Sequence, residues 1–244
     1  MLSNKEIKWI ISLKNKKYRH IHHAFIAEGP KLVNDLLING LKPLKILKVA
    51  DYNLMNDSFS DKVVNVDEKV LKKLTLLKHP NQILAVFEIP DVCNNTELKE
   101  GNWAIALDFI QDPGNLGTII RTINYLGISN IYCSNDSVDL YNPKVVQATM
   151  GAIGRVKVSY VDLDEFLALQ KAPIYITEMN GTSINKTNLK PGIIVFGNEG
   201  NGVRDTIKQK FQNYISIPKY GEGESLNIAI AVSVICSWIK LNNL

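Results

Sequence analysis

Apolar residues recur with two spacings in the first 90 residues, and both predict regular structure. Apolar positions that share one helical face predict helices at 7–13, 31–39 and 67–77. Short apolar runs predict strands at 23–28, 45–50, 63–66 and 83–89. This alternation is typical of a small α/β domain over 1–90.

A polar stretch at 91–101 has no apolar periodicity and predicts a linker. After it, strands are predicted at 103–110, 130–133, 156–160, 173–177, 192–196 and 214–217, and helices at 115–126, 143–151, 163–170, 202–210 and 225–241. Strands that alternate with helices favour a mostly parallel sheet covered on both faces. The sequence therefore predicts an α/β protein with a second domain at 102–244.

The length and composition fit a folded protein of one large or two modest domains. The chain has 244 residues, of which 45% are hydrophobic and 21% charged. Its three cysteines are far apart, which argues against disulfides and zinc and suits the cytoplasm. The N-terminus lacks the apolar core of a signal peptide, and the apolar run at 228–239 is shorter than the roughly 20 residues that a bilayer requires. We expect neither a membrane segment nor a metal site.

Positive charge is concentrated at the N-terminus. Residues 1–48 contain ten Lys or Arg and three acids, whereas the other 196 residues contain 18 basic and 21 acidic side chains. A basic N-terminal segment followed by a nearly neutral remainder of the chain favours a polyanionic partner such as nucleic acid. A solvated lysine-rich face, including His20, His22 and His23 beside Arg19, is the alternative.

Glycine-containing segments follow three of the predicted strands, where ligands bind in open α/β sheets. The first runs from Asp112 to Arg121, with Asn115 as a plausible N-cap, and the alternative is an ordinary turn with a surface arginine. The second, 197–202, has three glycines that would let its backbone approach a ligand closely. The third, 217–227, precedes the last helix, where Ser225 is a natural N-cap.

Together these segments resemble the SpoU (TrmH) family of RNA 2′-O-ribose methyltransferases, of the SPOUT class. The matching positions are Asn115, Gly117, Arg121 and Gly127; then Gly197, Glu199, Gly200 and Gly202; then Ile217, Pro218, Gly221, Ser225, Leu226 and Asn227. The segment 144–152 resembles the connecting helix of the family, and 21–40 more loosely resembles its substrate-binding domain, of the ribosomal protein L30e type. Lys219 departs from the usual methionine, and Glu222 and Glu224 add acids that would tune the mouth of the site.

The resemblance implies a deep trefoil knot in the second domain, a homodimer, and S-adenosylmethionine as cofactor. It places the cofactor against Gly197, Gly202, Ile217 and Leu226. It implies methyl transfer to a ribose 2′-hydroxyl of RNA, with ribosomal RNA favoured over transfer RNA.

The resemblance also assigns catalytic positions. Arg121 would grip a phosphate and stabilise the developing alkoxide, because a guanidinium keeps its proton at neutral pH. Asn115 would orient the ribose, and Glu199 would hold Arg121 or the hydroxyl. Ser225 and Asn227 would shape the site.

Two other classes of function stay open at this point. A non-catalytic RNA-binding or ribosome-assembly protein would not need intact catalytic positions. A nicotinamide-dependent oxidoreductase on a doubly wound sheet would carry a GxGxxG fingerprint after a strand, which is absent.

Overall fold

The computed structural model describes residues 2–54, 57–91 and 97–242. Their contacts divide the chain into two compact units. The first unit is formed by residues up to Asp91 together with Asp139–Arg155, and the second by Val92–Val138 together with the residues from Val156 onward. Five of the eleven residues of the predicted linker 91–101, namely 92–96, lie outside the described residues.

The first unit is a four-stranded sheet with helices. Its elements are α1 (Asn4–Ser12), α2 (Lys16–His22), β1 (Ala24–Glu28), α3 (Pro30–Ile38), β2 (Pro43–Lys48), a 3₁₀ helix (Asp57–Lys62), β3 (Val63–Asn65), α4 (Glu68–Leu74), β4 (Ile83–Glu88), α6 (Pro143–Ala148) and a 3₁₀ turn (Ala152–Gly154). The strand order is β1-β4-β2-β3, in which β4 is antiparallel to both of its neighbours. One core joins α1 and α4 to the sheet through Ile10, Leu13, Leu47, Leu71 and Leu74.

Helix α2 is absent from the sequence prediction because its residues have no apolar periodicity. The Asn15 side chain accepts a 2.9 Å bond from the amide of Lys17 at its start, and His23 ends it in the left-handed conformation at φ 45°. Arg19, expected on a solvated basic surface, is 3% exposed. It donates to the carbonyls of Leu13 and Lys14, each at 2.9 Å. A buried cation therefore ties α2 to the end of α1.

The segment Asp139–Arg155 belongs to the first unit, although its neighbours in sequence belong to the second. The carboxylate of Asp139 pairs with the guanidinium of Arg19, with Nε and Oδ2 3.0 Å apart. The ring of Tyr141 packs on Phe25 with centroids 4.8 Å apart. The sequence prediction divides the chain at the linker, into 1–90 and 102–244, whereas in the structure Asp139–Arg155 belongs to the first unit. Local patterns do not reveal this, because the contacts join residues more than a hundred positions apart.

The second unit is an α/β domain built on a six-stranded parallel sheet. Its elements are β5 (Ala104–Leu107), α5 (Pro113–Tyr125), β6 (Asn130–Ser134), β7 (Lys157–Val161), α7 (Leu163–Ala168), β8 (Ile174–Ser183), a 3₁₀ turn (Ile184–Lys186), β9 (Ile193–Phe196), α8 (Asp205–Lys208), β10 (Tyr214–Ser216) and α9 (Ile228–Asn242). The order β10-β8-β9-β5-β6-β7 is parallel throughout. The predicted α/β class with a parallel sheet is confirmed.

Two elements of the second unit differ most in length from the prediction. Strand β8 continues to Ser183 because it pairs with β10 twice: Ile176 lies opposite Tyr214, and Thr182 lies opposite Ile215. The five intervening residues form a bulge that local periodicity does not reveal. Helix α8 has only four residues, since the backbone before Asp205 is held in the glycine-rich loop.

Candidate active site

The loops after β5 and β9 leave neighbouring strands at the carboxyl edge of the sheet, and the third motif follows β10. In parallel α/β sheets this edge is where ligands bind. The three motifs predicted from the sequence therefore all follow strand ends at one edge of the second unit.

Helix α5 begins earlier than predicted, and this changes the role of Asn115. The N-cap is Asp112, whose Oδ1 accepts a 2.8 Å hydrogen bond from the amide of Asn115. The expectation that Asn115 caps the helix is wrong, because Pro113 occupies the first turn and Asp112 satisfies its free amides. The Asn115 side chain is thereby released for contacts outside the helix.

The second motif is a small closed loop between Asn198 and Gly202. Their backbones exchange two hydrogen bonds, of 2.9 and 2.8 Å. The Asn198 side chain braces the loop, since its Oδ1 accepts from the amide of Gly200 at 2.8 Å and its Nδ2 donates to the carbonyl of Phe109 at 3.0 Å. Glu199 lies inside this braced loop with its side chain exposed.

Gly197 is required by the protein's own backbone. A Cβ at this position would lie 2.0 Å from the carbonyl carbon of Gly202 and 2.1 Å from the amide nitrogen of Val203. From the sequence, this glycine is expected to let the backbone approach a ligand closely. In the structure, the space that a side chain would need is filled by the returning loop.

Asn227, rather than Ser225, caps the last helix. Its Oδ1 accepts a 2.9 Å hydrogen bond from the amide of Ala229, and α9 starts at Ile228. Ser225 lies two residues earlier, exposed, in the loop before the helix. The N-cap expected at Ser225 is therefore corrected, because the side-chain oxygen that meets the first free amides belongs to Asn227.

Three side chains, one from each motif, form a hydrogen-bonded network. The Nδ2 of Asn115 donates to Oε1 of Glu199 at 2.7 Å, and the Nδ2 of Asn227 donates to the same oxygen at 2.8 Å. Asn227 also donates to Oδ1 of Asn115 at 3.1 Å. The amide of Ile228 lies 3.5 Å from Oε1 of Glu199. The sequence positions predicted at Asn115, Glu199 and Asn227 are thus brought together.

The network leaves one N–H group and one carboxylate oxygen without a hydrogen-bond partner among the described residues. Both N–H groups of Asn227 are engaged and its oxygen caps α9. Asn115 keeps one N–H, and Glu199 keeps Oε2. Since a hydroxyl group both donates and accepts, this pair of free groups is suited to hold one.

Arg121 and Ser225 are not joined to this network. Arg121 lies exposed on α5, and its guanidinium forms no hydrogen bond or ion pair with any described residue. From the sequence, Glu199 is expected to hold either Arg121 or the hydroxyl; here it bonds Asn115 and Asn227 through Oε1 and has no bond to Arg121, which leaves Oε2 for the second role. The five donors of Arg121 are therefore free to bind an anion.

The positions predicted to contact a cofactor surround the same strand ends. Gly197 is buried at the end of β9, and Gly202 closes the loop at φ 66°. Ile217 is half-buried after β10, and Leu226 is 51% exposed before α9.

A second polar cluster, which no sequence motif indicated, holds the end of the glycine-rich loop that leads into α8. The buried carboxylate of Asp108 accepts from the backbone amide of Arg204 at 2.8 Å and from its Nε at 2.6 Å. The Nη2 of Arg204 also donates to Asp136 at 3.1 Å. The hydrogen bond to Asp108 raises the pKa of Arg204. A cavity of about 300 Å³ opens here, lined by Asp108, Phe109, Asp136, Asn198, Asn201, Gly202 and Arg204.

The described part of the chain contains neither a candidate metal site nor a candidate membrane-spanning helix. No group of three or more His, Cys, Asp or Glu side chains could hold a metal ion in residues 2–54, 57–91 and 97–242. Over these same ranges, no helix has the length and hydropathy needed to cross a membrane.

The parallel sheet and the hydrogen-bonded network at its carboxyl edge define the second unit as an α/β domain with a polar cluster at its strand ends. The chain belongs to the SpoU rRNA methylase family, whose model matches residues 102–237. Residues 4–85 match a second family model, the MRM3-like substrate binding domain. The suspected family membership is therefore confirmed.

Similar proteins cover nearly the whole chain. The 23S rRNA (guanosine(2553)-2′-O)-methyltransferase RlmP of Bacillus subtilis is 27% identical over 95% of this chain and 94% of its own. A TrmH-family protein from Porphyromonas gingivalis has a TM-score of 0.85 at 33% identity, covering 97% of both chains. An AdoMet-bound rRNA methyltransferase from Sinorhizobium meliloti has a TM-score of 0.86 at 29% identity, covering 100% of this chain and 97% of that one.

Proposed function

We propose that the protein is an S-adenosylmethionine-dependent RNA methyltransferase that modifies a ribose 2′-hydroxyl, with ribosomal RNA as the favoured substrate. The observation that carries this proposal is the network of Asn115, Glu199 and Asn227, with one donor and one acceptor left for a substrate hydroxyl. Membership in the SpoU rRNA methylase family and the named activity of RlmP support it.

The network would hold the ribose hydroxyl in one orientation. Oε2 of Glu199 accepts a hydrogen bond from the hydroxyl, and the remaining N–H of Asn115 donates to its oxygen. Asn227 keeps both partners in place, because all of its polar groups are engaged. Holding the oxygen about 3–3.5 Å from the methyl carbon, in line with the bond that breaks, supplies a large part of the acceleration.

Arg121 would act on the charge that develops during the reaction. Its exposed guanidinium has no competing partner among the described residues. It would grip the adjacent phosphate through two N–H groups and stabilise the alkoxide as the hydroxyl loses its proton. Ser225 would line the same site from the loop before α9.

The residues around the strand ends fit S-adenosylmethionine. An exposed apolar Leu226 and a half-buried Ile217 would cover its flat adenine ring, and the exposed Glu199 carboxylate would attract the positive sulfonium. The bound cofactor would supply an electrophilic methyl group. Gly197 and Gly202 would keep the loop backbone in the conformation that lines this site.

We also propose the homodimer and the trefoil knot of the SPOUT class for the second unit. One face of α9 carries Ile230, Val234 and Leu241, all exposed, while Val232 and Ile235 are buried within the unit. An exposed apolar helix face of this kind favours a two-fold interface. Parallel strands in the order β10-β8-β9-β5 are compatible with a knotted connection near the C-terminus.

The first unit would bind the RNA, as an L30e-like substrate domain. The match to an MRM3-like substrate binding domain and the basic excess in residues 1–48 support this role. The cytoplasm is the compartment we propose, which agrees with the free buried thiols of Cys133 and Cys236.

The decisive experiment maps ribose methylation in RNA from a strain that lacks this protein. We expect one 2′-O-methyl mark to be lost and to return when the purified protein and S-adenosylmethionine are added. An unchanged methylation map, together with no cofactor binding by calorimetry, would overturn the proposal in favour of a non-catalytic RNA-binding protein.

A further inference from the structure

An aromatic surface lies on the first unit, formed by Trp9, Tyr18 and His22. The rings of Tyr18 and His22, one helical turn apart on α2, are nearly parallel, at 15°, with centroids 6.3 Å apart. Trp9 meets His22 edge-on at 6.3 Å. Tyr18 is 41% exposed and His22 is also exposed. Tyr18 and His22 therefore present ring surface to solvent, whereas Trp9 is half-buried and packs against the core of the first unit.

The surroundings of these rings are positively charged. No Asp or Glu occurs between Glu6 and Glu28. Lys8, Lys16 and Lys17 are exposed and form no ion pair with any described residue. The acid that precedes this span, Glu6, is bound to Lys45 and to the Ser3 hydroxyl.

Helix α2 is held in a way that leaves this surface free. Among its seven residues only Arg19 is buried, and that side chain is anchored by the carbonyls of Leu13 and Lys14 and by Asp139. These hydrogen bonds involve neither Tyr18 nor His22, and both of these side chains stay exposed. Exposed rings on a fixed backbone lose little conformational entropy on binding.

We infer that Tyr18 and His22, with Trp9 at their edge, form a stacking platform for an unpaired base of the RNA substrate. This inference rests on the proposed function and specifies the kind of RNA that the first unit contacts. Aromatic rings stack on bases of any sequence, while the surrounding lysines contact the phosphates. A paired base offers no free face, so the platform selects a single-stranded segment, loop or bulge over a regular duplex.

Charge complementarity favours RNA over a protein partner for this surface. Three unpaired exposed lysines within ten residues of Tyr18 in the sequence attract a polyanion, and a chain of phosphates spaced along a strand satisfies several of them together. Arg19 takes no part, since its donors are used inside the unit.

The experiment compares two labelled RNA probes with the full-length protein. One is a twelve-nucleotide oligoadenylate, and the other has the same ribose-phosphate backbone without bases. Fluorescence anisotropy is measured over a series of salt concentrations. We expect the wild-type protein to bind oligoadenylate at least about fivefold more tightly than the abasic strand, the lower end for one stacked base.

Three variants separate stacking from charge. Tyr18→Ala with His22→Ala should abolish the preference for bases and leave the salt dependence unchanged. Tyr18→Phe should retain the preference, because the ring remains. Lys16→Ala with Lys17→Ala should reduce the slope of log affinity against log salt by about 1.4 for two phosphate contacts on a single strand, while the preference for bases persists. Melting temperatures should match the wild type in all cases.

Ile21→Ala is the matched control, since Ile21 is an exposed apolar residue, 59% accessible, on the same helix but has no ring. Its preference for bases should equal that of the wild type. Equal binding of the two probes by the wild-type protein, or an equal loss in Ile21→Ala, would overturn the stacking platform. If the stacking platform is overturned but the protein still transfers methyl groups to RNA, the proposed function stands. An unchanged methylation map in the strain that lacks the protein would count against the function itself.

Discussion

Asn115 donates a 2.7 Å hydrogen bond to Glu199, although 84 residues separate them in the chain. The bond connects the first turn of α5 with the braced loop that follows β9. It exists because β5 and β9 are neighbours in the sheet, so the segments that follow them leave from the same edge. The position of Glu199 therefore depends on the sheet order as well as on its own loop.

Arg121 is the residue on which we expect methyl transfer to depend most. Arg121→Ala should lower kcat by about 10²-fold, the scale of losing one donor to a developing oxyanion. Arg121→Lys should recover only a little, because it keeps the charge but loses the two-pronged grip on phosphate. Single-turnover methyl transfer with saturating RNA and cofactor measures this.

Cofactor affinity and melting temperature should stay near the wild-type values in both arginine variants, because the side chain is exposed and forms no bond within the described residues. A near-normal rate of methyl transfer in Arg121→Ala would contradict this role and would indicate that Glu199, Ser225 or Asn227 carries the catalysis.

Glu199→Gln tests the free acceptor of the network. The amide oxygen can still accept from Asn115 and Asn227, but the position of Oε2 becomes a donor. We expect kcat to fall by about 10²-fold with little change in stability. Glu165→Gln, an exposed change on α7 away from the motifs, is the control and should keep the wild-type rate. Equal rates in the two variants would show that Glu199 does not hold the hydroxyl.

Asn227→Asp should make stability depend on pH. The change removes two N–H donors and puts a second carboxylate beside Oε1 of Glu199, which is 2.8 Å from the Asn227 nitrogen. Like charges raise the pKa of a carboxyl in the folded state above its unfolded value, so stability is retained below pH about 4 and lost as pH rises. Thermal melts should show a larger deficit at pH 7 than at pH 4, by about 1 kcal/mol at these exposed positions.

Gly197→Val should disrupt the second motif through the protein's own backbone. The new side chain collides with Gly202 and Val203, and overpacking of about 1–3 kcal/mol corresponds to a fall of roughly 2–12 °C in melting temperature. Cofactor binding should be lost with it. Gly200→Ala is the control, because its Cβ would lie 3.4 Å from Oδ1 of Asn198, an ordinary contact. If the variant loses cofactor binding but keeps the wild-type melting temperature, Gly197 acts by contacting the cofactor directly and not by accommodating the loop backbone.

Val234→Lys should convert the proposed dimer into a monomer. Val234 is 38% exposed on the apolar face of α9, and burying an unpaired ammonium in an interface is costly. Light scattering should give twice the chain mass for the wild type and one chain mass for the variant. Leu169→Lys, an exposed position after α7, should remain dimeric. A monomeric wild type at micromolar concentration would contradict the interface.

Two thiols should resist alkylation in the folded protein. Burial raises the pKa of Cys133 and of Cys236 to about 12, so neither forms a reactive thiolate near neutrality. The stability linked to these thiols is present below their unfolded pKa near 9 and is lost as pH rises through about 12. Peptide mapping after iodoacetamide treatment at pH 8 should find both unmodified, and modified after denaturation. Rapid labelling without denaturant would contradict their burial.

The helices and strands of the second unit were largely predictable from the sequence, for a physical reason. Strands buried on both faces read as continuous apolar runs, and 104–107 and 193–196 are such runs. Glycine, proline and asparagine mark the turns after them. The residues at those turns, Asn115, Glu199 and Asn227, were therefore identifiable as candidates.

The contacts between these candidates were decided by the tertiary structure. Hydrogen-bonded partners in the network are 84, 112 and 28 residues apart, and spacing along the chain carries no information about such pairs. The order of the strands, with β9 between β5 and β8, brings the first two motifs together. The predicted helix caps were wrong for a related reason: several polar residues precede each helix, and only the folded backbone shows that Asp112 and Asn227, and not Asn115 and Ser225, accept from the first free amides.

Arg19 marks where the sequence alone fails most clearly. Its neighbours are basic and polar, which predicts an exposed cation and no helix. The side chain is nevertheless buried, because Asp139, 120 residues away, supplies the compensating charge. The sequence by itself determined the fold class and the positions of the motifs, since these follow from local periodicity and turn chemistry. Only the tertiary structure decided which polar groups meet, because burial of a charge depends on a partner that chain folding brings from elsewhere.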